Sequence, residues 1–311
     1  MFIKKQIPWI EKYKPTSLTS FNDNNFLNDS HINNCILYGE PGVGKTSYTN
    51  ILIDSIYDDN GKKQNVIKLN ASDERGIETV RKKIKTFAKQ KIQGKYDFKI
   101  IVLDEADTLT NDAQTALRRI IEVHSNNTRF IFICNYIDNI IEPIKSRCHK
   151  IKFNKFSTKY IKSYLNKILI KENIDASKRN HLIETTLHFS KNDLRKSINL
   201  IEVIAGIKDV EKYSIEDLSC VFGIITKNNL QKILENIKSI DDINNYLTVL
   251  CNYKIVNILL KIQEIILNDT TIEDIRKMNF LILLSEIDNI KNKNINKRII
   301  LTKLLMEYIQ I

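Results

Sequence analysis

The stretch Gly39-Glu40-Pro41-Gly42-Val43-Gly44-Lys45-Thr46 constrains this chain more than any other, and it holds three of the eight glycines. Cys35-Ile36-Leu37-Tyr38 before it is short and apolar enough for a buried strand. Ser47-Tyr48-Thr49-Asn50-Ile51-Leu52-Ile53 after it suits a helix. A GxxxxGK[ST] loop between a strand and a helix predicts a cradle for phosphate. Glycine lets the backbone turn its N–H groups inward, and the helix N-terminus adds positive potential at the anion. In such a cradle Lys45 reaches the β- and γ-phosphates of a nucleoside triphosphate, and the Thr46 hydroxyl holds Mg²⁺. The plainer alternative, an ordinary glycine-rich turn, sits poorly with a chain so sparing of glycine.

At 311 residues the chain is long enough for two or three domains. Its 42% hydrophobic content supports a sizeable core, which excludes a disordered polyelectrolyte. Lys+Arg of 48 against Asp+Glu of 37 gives +11, favouring an anionic partner such as nucleic acid. Asn, Ile and Lys are abundant, as an A·T-rich coding sequence would produce, so part of that excess needs no functional cause. The five cysteines are scattered with no C-x-x-C pair, which argues for reduced thiols in an intracellular compartment. The histidines show no metal spacing, no apolar run approaches a membrane span, and the amino terminus lacks a signal-peptide core.

All four prolines fall at or before Pro143, and neither glycine nor proline occurs after Gly223. The first half alternates strand-like and helix-like segments, predicting an α/β unit with a parallel five-stranded sheet. The expected strands are Cys35–Tyr38, Val66–Leu69, Ile100–Leu103, Phe130–Cys134 and Ile151–Phe153. From about Ser157 the pattern turns helical, as in Tyr160, Ile161, Tyr164, Leu165, Ile168 and Leu169. The expected domains are 1–156 for nucleotide binding, 157–223 for a small helical lid and 224–311 for a carboxy-terminal helical bundle.

Ile100-Ile101-Val102-Leu103 runs into Asp104-Glu105-Ala106-Asp107, placing carboxylates where α/β sheets bind ligands. Asp104 would orient the Mg²⁺ shell, and Glu105 would position and polarise the attacking water. Around these two motifs further boxes fall in order: Pro8-Trp9-Ile10-Glu11-Lys12-Tyr13-Lys14-Pro15, Asn70-Ala71-Ser72-Asp73-Glu74-Arg75-Gly76-Ile77, Gln114-Thr115-Ala116-Leu117-Arg118-Arg119 and Ser146-Arg147-Cys148. Together they resemble the AAA+ clamp loaders, specifically the small subunits of replication factor C. The resemblance is densest over residues 8–200 and rests on helical character alone beyond Gly223. It implies an AAA+ P-loop NTPase fold with a helical lid and a helical collar for oligomerisation.

The resemblance also implies roles. Asn135 matches the first sensor of the γ-phosphate, and Arg195 the second, reaching from the lid. Arg147 matches a finger inserted into the neighbouring subunit's ATP site, and residues Trp9 to Pro15, Tyr13 and Pro15 among them, would edge the adenine pocket. Gly39, Glu40, Pro41, Gly42, Val43, Gly44, Lys45, Thr46 and Ser47 would hold the phosphates. Each role has a plainer rival. Asn135 could cap the next element, Arg147 could be a solvated loop charge, Trp9 a hydrophobic anchor, and Arg195 an exposed arginine paired with Asp193 or Glu202. Cys148 reads as a packing residue, since no base stands beside it. Four departures from the family pattern stand out: Lys14 replaces an arginine whose planar fork lysine lacks, Glu40 and Val43 replace a proline and a threonine at variable loop positions, and Asn192 replaces a glycine.

A ring or spiral of such subunits would surround primer–template DNA and track its phosphates without reading bases. Arg75, Arg81, Lys82, Lys85, Arg118 and Arg119 are the candidate contacts, and a solvated surface charge is the rival for each. Arg118 and Arg119 diverge by about 100° on a helix, so not all can face the duplex. Gln114 is placed to couple DNA occupancy to Glu105. The segment from Thr79 to Phe98, with Phe87, Tyr96 and Phe98, could face a sliding clamp of the PCNA type, or its aromatics could be core. The implied cofactors are ATP and Mg²⁺, and the implied partners are other clamp-loader subunits in a homo- or hetero-pentamer, the clamp and DNA. The compartment would be the nucleus of a eukaryotic cell, or host cytoplasm for a virus. The rival readings are another AAA+ DNA motor or initiator, and a scaffold subunit that has lost hydrolysis; intact Lys45, Thr46, Asp104 and Glu105 speak against the latter.

Overall fold

Five short strands form one parallel sheet in the order β2-β3-β4-β1-β5: β1 Cys35–Tyr38, β2 Val66–Asn70, β3 Lys99–Asp104, β4 Thr128–Cys134 and β5 His149–Lys152. The computed structural model describes residues 7–17, 32–72, 77–207, 213–290 and 296–309. Successive side chains of the inner strands serve two cores. Cys35, Leu37, Ile100, Val102, Ile131 and Ile133 pack on one face with Tyr48 and Leu52, while Ile36, Ile101, Leu103, Phe130 and Phe132 pack on the other with Ile84, Leu117 and Ile121. Burial on both faces is why these strands read as unbroken apolar runs. β5 lies at the edge and starts two residues before the expected Ile151: only Ile151 is buried, while His149, Lys150 and Lys152 are exposed. An edge strand has one neighbour to pair with, so its polar alternation escapes a search for apolar runs.

Around the sheet run α1 Trp9–Lys12, α2 Lys45–Ile56, α3 Asp59–Asn65, α4 Ile77–Lys89, α5 Asn111–His124 and α6 Glu142–Lys145, followed by α7 Thr158–Lys171, α8 Ala176–Ser190 and α9 Leu194–Ala205. α3 was not expected, because Asp59-Asn60-Gly61-Lys62-Lys63-Gln64-Asn65 has the composition of a turn. Asp58 caps it by accepting from the Gly61 N–H at 2.6 Å, and Gly61 lies beneath Tyr96, where a Cβ would stand 2.5 Å from the ring. α7 begins at a Ser157 cap that accepts from Tyr160 N–H and buries Ile161, Leu165, Ile168 and Leu169. α4 and α5 are neighbours, burying Ile84 and Ala88 from one and Leu117, Ile120 and Ile121 from the other in the same core.

Compactness divides the chain between Ile207 and Lys208, so the sheet and α7 to α9 form one unit. The second unit contains α10 Ile215–Val221, α11 Lys227–Asn236, α12 Ile240–Leu250, α13 Ile255–Asn268, α14 Asp274–Ile290 and α15 Lys297–Ile309. It has its own core, including Leu230, Leu247, Ile258, Ile262, Leu301 and Leu304. Among the described residues no helix is long and apolar enough to cross a membrane.

In the sheet order, β1 lies between β4 and β5, and the loop leaving its carboxyl end opens into the crevice where ligands of α/β sheets bind. That loop is the glycine-rich stretch.

Candidate functional site

Backbone conformation builds the cradle first. Gly39 closes on β5's exit, where a Cβ would stand 2.3 Å from the Phe153 carbonyl oxygen. Gly42 has φ +81° and touches the lid: a Cβ there would meet the Asp193 Oδ1 at 2.5 Å. Gly44 is the N-cap of α2, so the free N–H groups and dipole of that helix point into the loop.

Lys45 is buried, and its ammonium donates to the carbonyls of Gly39 (2.6 Å) and Glu40 (2.8 Å) and to Asn135 Oδ1 (2.9 Å). Burial pulls its pKa below the usual lysine value. A desolvated cation held only by neutral acceptors is poised for an anion, and the triphosphate fits that need. The bond to Asn135 rules out the capping alternative, since the following short helical turn, Ile137–Asn139, has no side-chain cap. Asn135 is itself anchored by Asp107, whose Oδ2 accepts from the N–H of Asn135 (3.0 Å) and of Tyr136 (3.1 Å). The Asp107 role escaped the sequence reading, although the residue belongs to the quoted acidic box.

Asp104 ends β3 beside Thr46, whose hydroxyl donates to Asp104 Oδ2 at 3.0 Å. A hydroxyl and a carboxylate side by side are the oxygen donors Mg²⁺ takes alongside phosphate and water. Glu105 has φ +53°, a left-handed conformation strained for a side-chain residue, and its N–H donates to Asp104 Oδ1 at 2.9 Å. The turn holds the Glu105 carboxylate exposed at the cavity.

These groups line one cavity of about 410 Å³. Gly42, Gly44, Lys45, Thr46 and Ser47 form its floor, Asp104, Glu105 and Asn135 one end, and Arg195 reaches in from the first turn of α9. Tyr13 and Pro15 also line it, with Ile10 of the same amino-terminal box and with Phe156, Tyr164 and Ile198, three residues no motif had flagged. That apolar wall suits a flat heterocycle. The segment bearing it is tied to the lid helices. Lys12 Nζ (2.7 Å) and Tyr13 Oη (2.6 Å) both donate to Glu172 Oε1, the Trp9 N–H donates to Glu202 Oε2 (3.1 Å), and Tyr164 Oη donates to the Tyr13 carbonyl. Burial, then the Glu172 contact, raises the Tyr13 phenol. Glu202 is thus taken by Trp9, and Asp193 caps α9 by accepting from Lys196 N–H (3.0 Å), so neither is the partner foreseen for Arg195. The bond from Trp9 is made by its backbone, and its side chain does not line the cavity, so the anchor reading of the indole stands. Lys14 sits at the cavity rim and pairs with Glu11. Asn192 adopts φ +64°, the conformation that lets it stand in for glycine.

Other predicted residues lie elsewhere. The Pro41 ring borders the cavity, the Glu40 carboxylate pairs with Lys155 at 2.7 Å, and the Val43 side chain is buried in the core beneath β1. Arg147 does not line the cavity; it is exposed after α6 and binds Glu122 (2.6 Å) and the Pro143 carbonyl (2.8 Å). Lys82 and Lys85 are exposed on α4, and Arg118 is exposed on α5 with Glu122 at 3.0 Å. Arg75 and the side chain of Arg81 lie outside the described residues. Gln114, the residue expected to couple DNA occupancy to Glu105, is an internal side chain. It is buried, donating to the Leu109 and Asn139 carbonyls and accepting from Ile141 N–H, which makes it a brace between α5 and the loop after β4. Phe87, Tyr96 and Phe98 are half-buried against the two cores, and Tyr96 packs on Tyr57 at 4.6 Å, so these aromatics are core. Burial pushes the Cys148 thiol up to about 12, which leaves it inert at neutral pH.

Residues 35–156 match the family described as "ATPase family associated with various cellular activities (AAA)". Replication factor C subunit 2 of Schizosaccharomyces pombe is 31% identical over 97% of this chain and 94% of its own length. Replication factor C subunit 2 of Saccharomyces cerevisiae is 32% identical over 98% of this chain and 94% of its own. Replication factor C small subunit 2 of Pyrobaculum islandicum is 38% identical over 73% of this chain and 72% of its own. Among solved structures, the Thermotoga maritima RuvB Holliday junction branch migration motor matches 78% of this chain and 85% of its own with a TM-score of 0.51 at 14% identity, a likeness of fold alone. With the nucleotide cradle assembled and full-length relatives above 30% identity, the chain belongs to the replication factor C small-subunit family of AAA ATPases.

Proposed function

We propose that this chain is an ATP-hydrolysing subunit of a clamp loader, which opens a sliding clamp of the PCNA type and places it on primer–template DNA. The observation that carries the reading is the convergence of Lys45, Thr46, Asp104, Glu105, Asn135 and Arg195 on one cavity, while Arg147 stands outside it. Lys45 and the α2 N-terminus would bind the β- and γ-phosphates, and the apolar wall with Tyr13 would hold the base. Thr46 and Asp104 would hold Mg²⁺, which when bound neutralises charge on the phosphate oxygens. Glu105 would orient water for in-line attack, Asn135 would contact the γ-phosphate, and Arg195 would transmit occupancy to the lid.

Among the described residues Arg195 is the only arginine lining this cavity, and Arg147 is exposed for use elsewhere. The arrangement supports hydrolysis at a seam between subunits, each Arg147 completing its neighbour's site. ATP binding would then order a homo- or hetero-pentamer, and hydrolysis would release clamp and DNA. Exposed Lys82, Lys85 and Arg118 on the adjacent helices α4 and α5 support a path for DNA phosphates. The test is reconstitution with sibling subunits, clamp and primed DNA. Lys45→Ala should abolish nucleotide binding and ATP-dependent loading; loading that survives in this variant overturns the proposal.

A further inference from the structure

Glu122, near the end of α5, joins two arginines that were assigned to different tasks. Its Oε1 accepts from Arg118 Nε at 3.0 Å and from Arg147 Nη2 at 2.6 Å. Arg118 lies one turn earlier on the same helix, whereas Arg147 comes from the segment between α6 and β5. Arg147 Nη1 donates in addition to the Pro143 carbonyl (2.8 Å) and Ser146 Oγ (3.2 Å). The guanidinium is therefore oriented from two sides by its own subunit while its face stays open to solvent. The hydrogen bond from Arg118, with the charges of both arginines, holds the Glu122 carboxyl below its usual range, so it is ionised at neutral pH.

We infer that Glu122 is a positioning residue for the trans-acting Arg147, and that Arg118 competes with Arg147 for it. The inference rests on the proposed roles of Arg147 at a neighbour's nucleotide and Arg118 at DNA phosphate. One carboxylate oxygen shared by two cations holds each less firmly than it would hold one alone. A phosphate that draws Arg118 away leaves the Glu122 charge to Arg147, which is then better fixed in the orientation set by Pro143 and Ser146. DNA at α5 thus steadies the guanidinium that serves the next site, and hydrolysis there speeds up. The opposite arrangement, with Glu122 as a latch withholding Arg147, has the opposite sign: DNA would tighten the latch and slow hydrolysis.

The test is steady-state ATP turnover of the assembled complex, with and without primed DNA, for Glu122→Ala, Glu122→Gln and Arg118→Gln, with Arg147→Ala as reference. Glu122 is exposed, so its variants fold, and exposed charge pairs set effects of about two- to fivefold. Glu122→Ala should lower kcat by that factor with KM unchanged, and Glu122→Gln, which keeps an acceptor oxygen, should fall between it and wild type. Arg118→Gln should raise turnover without DNA, because the competitor is gone. Unchanged DNA-free turnover in Arg118→Gln overturns the competition, and a kcat at or above wild type in Glu122→Ala overturns the positioning role. If both happen while Arg147→Ala is crippled, the inference fails and the finger stands. Wild-type turnover by Arg147→Ala overturns the finger and the inference with it.

Discussion

Replacing Gly42 by alanine tests whether the phosphate loop and the lid are built against each other. Two costs follow from the structure. Gly42 sits at φ +81°, a left-handed conformation that costs an L-residue about 1–2 kcal/mol. The new Cβ would also lie 2.5 Å from Asp193 Oδ1, so that carboxylate must turn away from the Lys196 N–H it caps at 3.0 Å. A lost cap adds about 1 kcal/mol, for a sum of about 2–3 kcal/mol. Trp9, the chain's single tryptophan, lies in the first unit, so its fluorescence follows unfolding of that unit. The midpoint should fall by about 4–12 °C in heat, with a matching shift in denaturant. Asp193→Ala alone should cost about 1 kcal/mol, and the double variant should cost about 1 kcal/mol less than the two singles summed, because the clash and the cap are lost only once. A Gly42→Ala protein with the wild-type midpoint, or strict additivity in the double variant, would refute the reasoning.

Three further outcomes are expected. Lys99 is buried, and its ammonium donates to the carbonyls of Phe87 (2.6 Å), Ala88 (3.0 Å) and Gln90, closing the end of α4; Lys99→Met should cost about 2–4 kcal/mol in urea unfolding by stranding those acceptors. Burial raises the Cys134 thiol to about 12, so both states keep the proton at neutral pH, and only the unfolded state releases it once the pH passes its ordinary thiol value. Stability should therefore decline above about pH 8.5 by about 1.4 kcal/mol per pH unit from this thiol, and Cys134→Ala should show a shallower decline in unfolding titrations at stepped pH. Asp104→Asn should leave metal-free nucleotide affinity close to wild type and weaken the gain in affinity on adding Mg²⁺, as read by fluorescent-nucleotide titration with and without chelator.

The cradle was legible because its chemistry is local: glycines, lysine and threonine at fixed spacing carry their meaning in eight consecutive residues. The three inner strands were legible for a related reason, since burial on both faces keeps their centres apolar; β2, at the other edge, was found from Val66, Ile67 and Leu69 although Lys68 is exposed. β5 was misplaced by two residues because its His149-Lys150-Ile151-Lys152 faces solvent at the sheet edge. α3 was hidden by turn-like composition, and what stabilises it is the contact of Gly61 with Tyr96 from thirty-five positions later, information no local pattern holds. The same limit applies to Phe156, Tyr164 and Ile198, which come to line the cavity only when α7, the segment before it and α9 meet the phosphate loop. The aromatics Phe87, Tyr96 and Phe98 looked like a surface, yet they pack half-buried against the two cores; that Gln114 spends every polar atom of its amide on backbone groups was equally invisible in the sequence.

The most direct test of a nucleotide site completed by the next subunit is single-turnover ATP hydrolysis at the site facing this chain's Arg147. It should be measured in a reconstituted complex on primed DNA, with wild-type chain or Arg147→Ala. The rate at that site should fall about 10³-fold or more in the variant, with ATP still bound by both subunits. Equal rates in the two complexes would contradict the account.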